Sequence, residues 1–120
     1  TQKETLATIR EVYEKYGYVL DTHTAVAYAV YEKYKAATGD KNKTVLVSTA
    51  SPYKFADSVA TAIGIQPSEN GFENIKLVFE KTGCKVPKEL KNLEEKEILH
   101  RRVIDVEEMN QVVLSSVQSV

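Results

Sequence analysis

The residues best suited to chemistry lie close together in the middle of the chain. Ser48, Thr49 and Ser51 supply three hydroxyls within four positions, and Lys54 adds a cation three residues later. A hydroxyl hydrogen-bonds a ligand ring nitrogen or a phosphate without adding charge, and Lys54 could neutralise an anion. The same residue types also serve as turn and cap residues, so the cluster by itself leaves both readings open. His23, within Asp21-Thr22-His23-Thr24, has a side chain that titrates near neutrality and could move a proton. The simpler reading is a locally hydrogen-bonded histidine in a first helical turn. His23, His100 and Cys84 lack metal-ligand spacing. Cys84, between Gly83 and Lys85, has no histidine beside it and reads as a half-buried thiol.

The hydroxyl cluster follows Thr44-Val45-Leu46-Val47-Ser48, a short β-rich run bounded by turn residues and without polar alternation. That pattern predicts a parallel-type strand covered on both faces. Ligands in open α/β sheets bind beyond the carboxyl ends of such strands, at the start of the next helix. Helices are predicted around it. Residues 5–16 place Leu6, Ile9, Val12, Tyr13 and Tyr16 on one face and stop at Gly17. Asp21 is placed as the N-cap of a second helix over 23–37, apolar nearly all round and therefore expected to be buried on more than one side. Further helices are expected over 55–63, 72–81 and, beginning with Pro87, 87–93. The spacing Asp105-Val106-Glu107-Glu108 suits a capping box opening a last helix, with Val106, Met109, Val112, Val113 and Val117 facing inward.

The expected fold class is thus α/β, mostly helical, with one main strand at about 44–48. A single buried-type strand leaves unpaired amides and carbonyls at both edges. Partner surface is therefore expected outside this chain, unless Tyr18-Val19-Leu20 and Arg102-Val103-Ile104 are short strands too. Six of the seven tyrosines fall between Tyr13 and Tyr34, at spacings that suit packing. Composition excludes several classes. The 120 residues carry 16 Lys and Arg against 17 Asp and Glu, with no basic stripe for nucleic acid. No apolar run approaches the roughly 18 residues of a membrane span. The lone cysteine excludes an internal disulfide and fits a reducing, cytoplasmic setting. The start at Thr1 rather than Met is read as a processed or cut-out piece of a longer protein.

Two segments carry a family resemblance. Asp21-Thr22-His23-Thr24-Ala25-Val26-Ala27, preceded by Gly17-Tyr18, and Ser48-Thr49-Ala50-Ser51-Pro52-Tyr53-Lys54-Phe55 resemble the C-terminal region of threonine synthase, a pyridoxal-phosphate (PLP) enzyme of fold type II. Lys88-Glu89-Leu90 after Pro87, and the tail beyond His100, resemble the same region. Thr22 stands where the family usually has Pro, and Ser51 where it usually has His.

The resemblance implies that residues 1–120 are a single C-terminal segment, inactive alone, whose strand completes a sheet built by the remainder of the same chain. It implies PLP as cofactor and conversion of O-phospho-L-homoserine and water to L-threonine and phosphate. It places Thr49 at the cofactor's pyridine nitrogen, with Ser48 as a second cofactor contact and Lys54 as a lining residue for the phosphorylated amino-acid substrate. The lysine that binds the cofactor covalently belongs to the N-terminal part of the family's chain, so no catalytic residue is expected here and Lys54 is not that lysine. Two alternatives stand beside this reading: another fold type II enzyme resembling threonine dehydratase, and a small interaction module that grips a partner with its tyrosine-rich helices.

Overall fold

The structure is a computed structural model and describes residues 1–118. Helix α1 (Gln2–Tyr16) ends at Gly17, whose positive φ of 66° lets its N–H reach the Tyr13 carbonyl at 2.8 Å. A short link buries Val19 and Leu20 and delivers Asp21 to the start of α2 (Thr22–Thr38). After a long irregular stretch, a 3-10 turn (Pro52–Phe55) feeds α3 (Ala56–Ala62). Asn70 caps α4 (Gly71–Thr82) by accepting from Phe72 and Glu73. Two further 3-10 turns, Leu93–Glu95 and Val106–Glu108, precede α5 (Met109–Gln118).

The core lies where α1, α3 and α4 meet under the start of α2. Ile9, Ala25, Val59, Ala60 and Val78 are fully enclosed, with Val12, Val19, Leu20, Tyr53, Ala62 and Ile63 around them. Helix α1 packs on α2 and α3, and α3 packs on α4. Arg10 on α1 fixes the second of these contacts, donating from Nε to the Ala62 carbonyl at 2.7 Å. Buried Asn74 on α4 closes the loop before it, donating to the Ser68 carbonyl and accepting from the Ser68 amide at 2.9 and 2.7 Å.

The expected α/β class is overturned: among the described residues there is no strand and no sheet. Residues 44–48 carry the side chains of a buried strand but no ladder partner, and a strand is defined by its hydrogen-bonded neighbour. Their β-branched pattern reports a preference, not a pairing. Val45 and Val47 are 86% and 77% exposed. Residues 18–20 and 102–104 form no strand either.

Three helical expectations also need correction. Residues 87–93 make isolated turns, Leu90 to Pro87 and Lys91 to Lys88, and Asn92 at a φ of 55° interrupts any continuation into the 3-10 turn that follows. Helix α2 buries only Thr24 and Ala25, leaving Val26, Val30 and Tyr34 exposed. The last helix forms behind its capping box, but of its predicted inward residues only Val112 is half-buried among the described residues, while Val106, Met109, Val113 and Val117 are exposed. The radius of gyration is 18.7 Å, against about 14 Å for a compact chain of this length. The accessible surface is 9406 Å², against about 6,500 Å² for a compact protein of this mass.

Candidate functional site

The first turn of α2 and the Ser48–Lys54 segment come together around one buried carboxylate. Asp21 is 1% exposed. Its Oδ1 accepts the amides of His23 and Thr24 at 2.9 and 3.2 Å, which caps the helix. Its Oδ2 accepts two hydroxyls: Thr24 Oγ1, and Ser48 Oγ at 3.1 Å across 27 residues of sequence. The two hydroxyl oxygens stand 3.0 Å apart. Burial pushes the Asp21 carboxyl upward, but the hydrogen bonds from Thr24, His23 and Ser48 outweigh it and hold the group below its ordinary value.

Thr49 follows directly. Its side chain is exposed and has no hydrogen-bond partner among the described residues. Ser51 turns instead to local structure, its Oγ accepting from the Tyr53 amide at 3.3 Å to cap the 3-10 turn. Lys54 is exposed, with Nζ 5.5 Å from the centroid of the Phe55 ring. The same ring meets His23, centroid to centroid, at 5.1 Å. His23 is thus the helix-start histidine that the local spacing implied, its Nδ1 3.6 Å from Asp21 Oδ1.

The sequence-chosen residues do not share one cavity. Lys54 borders an open cleft of about 710 Å³ with Asp57, Ser68 and Asn70 at the start of α4. His23 borders a separate cleft of about 330 Å³ with Thr5, Val26 and Ser58. Ser48 and Thr49 border neither. A third cavity, about 450 Å³ and floored by Phe72, Ile75, Phe79 and Leu90, contains none of them. Among the described residues no three His, Cys, Asp or Glu side chains gather to hold a metal ion. The geometric ground for singling out Thr49, a strand end, is gone. Its motif remains, together with its attachment to the Asp21 network. Sequence reasoning recognised Asp21 only as a cap. Thr24 three residues on was a local clue, but no spacing rule reaches Ser48.

The family profile described as Threonine synthase, C-terminal matches residues 24–117. The chain belongs to the threonine synthase C-terminal family. Within that family, the Saccharomyces cerevisiae threonine synthase is 39% identical over 98 residues, covering 78% of this chain and 17% of the yeast protein. The Methylobacillus glycogenes threonine synthase is 33% identical over 79 residues, covering 62% of this chain and 16% of its own. A mouse protein named threonine synthase-like 1 is 40% identical over 67 residues, 55% of this chain and 8% of its own. The chain therefore spans less than a fifth of the length of these relatives. The threonine synthase C-terminal match includes Thr24, Ser48, Thr49 and Lys54 and starts three positions after Asp21. Among the described residues no helix is long and apolar enough to cross a membrane.

Proposed function

We propose that this chain is the C-terminal segment of a PLP-dependent threonine synthase, a cytoplasmic lyase of threonine biosynthesis, and that its part is to present Thr49 to the cofactor. The observation that carries the reading is the threonine synthase C-terminal match over residues 24–117, which takes in Thr49. Thr49 is the exposed hydroxyl next to a residue tied to the buried Asp21, in a segment within that match.

The donor chemistry here suits PLP. A pyridine nitrogen is suited to one neutral donor in its plane, and the Thr49 hydroxyl supplies one with no competing partner among the described residues. Asp21 is enclosed and already accepts from four groups, so it is not open to such a ring. PLP, when bound, supplies the electron sink for eliminating phosphate from O-phospho-L-homoserine and adding water to give L-threonine. Thr49 as donor polarises the ring without the full charge a carboxylate would stabilise. Ser48, whose Oγ is committed to Asp21, lies beside the cofactor as the neighbour of Thr49. Lys54 offers an ammonium to the phosphate of the substrate or product.

The rest of the enzyme covers the open apolar surface. Val26, Val30 and Tyr34 on α2, and Val45 and Val47 in the segment before Ser48, are exposed apolar residues. Residues 1–120 alone are then inactive. The experiment is an assay of the full-length protein, loaded with PLP, on O-phospho-L-homoserine. Equal amounts of phosphate and L-threonine are expected. Turnover confined to L-serine or L-threonine, with ammonia and an oxo acid as products, would assign a dehydratase instead.

A further inference from the structure

The segment carrying Ser48 and Thr49 has very little holding it. From Thr44 to Ala50, the described hydrogen bonds that reach the rest of the chain all involve Ser48, paired with Asp21 and Thr24. The remaining ones are local: Thr44 to the Asn42 carbonyl, and Ser48 to the Ala50 carbonyl. The direction of the Thr49 side chain therefore depends on how firmly its neighbour is held.

The two oxygens of Asp21 do different work. Oδ1 takes the helix-start amides and is fully used by capping. Oδ2 takes no amide; it takes the Thr24 and Ser48 hydroxyls. Capping alone would be served equally by Asn, whose single carbonyl oxygen accepts the same amides. The second oxygen, buried and reaching across 27 residues, is surplus to capping.

We propose that Asp21 is a positioning residue for Thr49: its Oδ2 holds the Ser48 hydroxyl and so sets the direction of the hydroxyl one residue on. The proposal rests on the assignment of Thr49 to the cofactor ring nitrogen. It gives Asp21 no contact with substrate or cofactor.

The chemistry of the pair supplies its own test. Asp21→Asn keeps a cap acceptor but puts an NH2 group where Oδ2 stood; that group cannot accept from Ser48 and can only donate to its oxygen, which reverses the bond and frees the Ser48 proton to turn elsewhere. Ser48→Ala removes the tie and leaves the cap untouched. Both are made in the full-length, PLP-loaded enzyme beside Thr49→Val and Ser48→Thr. The readouts are kcat and KM, the visible absorption band of the bound cofactor, and the melting temperature.

Asp21→Asn and Ser48→Ala are expected to lower kcat by about ten- to a hundredfold, the range a misplaced site group produces. KM should move less, and the cofactor band should shift in the same direction as in Thr49→Val. The melting temperature of Ser48→Ala should stay near that of the parent, Asp21→Asn should lose only the stability its carboxylate lends at neutral pH, and Ser48→Thr should keep the parent kcat. If both variants stay within about twofold in kcat while Thr49→Val is impaired, the positioning role is wrong and the Thr49 assignment stands. If Thr49→Val is itself silent, both fall. A kcat loss that follows a lowered melting temperature, with the cofactor band unmoved, would make Asp21 a stabilising cap only.

Discussion

The Tyr53 hydroxyl donates to the backbone carbonyl of Cys84, joining the turn after the hydroxyl cluster to the chain just beyond α4. Tyr53 is 3% exposed. Burial first, and the neighbouring Cys84 second, push its phenol up to about 12. Removing the hydroxyl in Tyr53→Phe leaves a carbonyl short of its partner and should cost about 1–3 kcal/mol, read from denaturant unfolding.

The same phenol predicts an alkaline transition. A pKa raised in the folded state favours the neutral form there, so this contribution is complete below the ordinary tyrosine value of 10.0 and is lost as the pH rises toward 12. Ultraviolet titration should show Tyr53 as the last tyrosine to ionise, after Tyr28, whose phenol burial also raises, together with the loss of folded signal. In Tyr53→Phe that late phase should be missing.

Glu4 and Lys33 join α1 to α2, with Lys33 Nζ 2.7 Å from Glu4 Oε1. The hydrogen bond from Lys33 is the leading cause that brings the Glu4 carboxyl down to about 2. In Lys33→Ala an NMR pH titration should move Glu4 upward, toward 4.5. Both side chains are exposed, so the change in unfolding midpoint at neutral pH should be small.

Asp21 should contribute an acid-side loss. Its carboxyl is held below 3.8 in the folded chain, so the stability it lends is complete above that pH and fades as the pH falls below it. Asp21→Asn has no such proton to take up. Its acid unfolding curve should be flatter than the parent's in that range.

Asn74 is a polar side chain at 1% exposure with both ends used by Ser68. Asn74→Ala should lose about 2 kcal/mol or more, since the Ser68 amide and carbonyl both lose a partner. Asn74→Asp keeps the acceptor and loses the donor. It should recover only part of that loss in the same unfolding measurement.

What could be read in advance follows the range of each interaction. The stripe of α1, the Gly17 stop and the Asp21 cap are written within one or two turns of sequence, and each is found in place. The expected strand at 44–48 failed because pairing needs a second segment, which composition cannot supply. The helix expected after Pro87 failed at Asn92, whose left-handed backbone is compatible with a turn. The burial expected on more than one side of α2, and the inward face assigned to α5, needed further neighbours that the described residues do not provide. At the site, the motif residues around Asp21 and Thr49 were legible as a resemblance. The Ser48–Asp21 contact was not, because nothing local relates positions 27 apart.

The most direct measurement is a crystal structure of the full-length protein with PLP bound. Thr49 Oγ1 should lie within about 2.6–3.2 Å of the pyridine nitrogen, the span of a working hydrogen bond, with Ser48 Oγ still donating to Asp21. A ring nitrogen met by a different residue, with Thr49 turned to solvent, would contradict it.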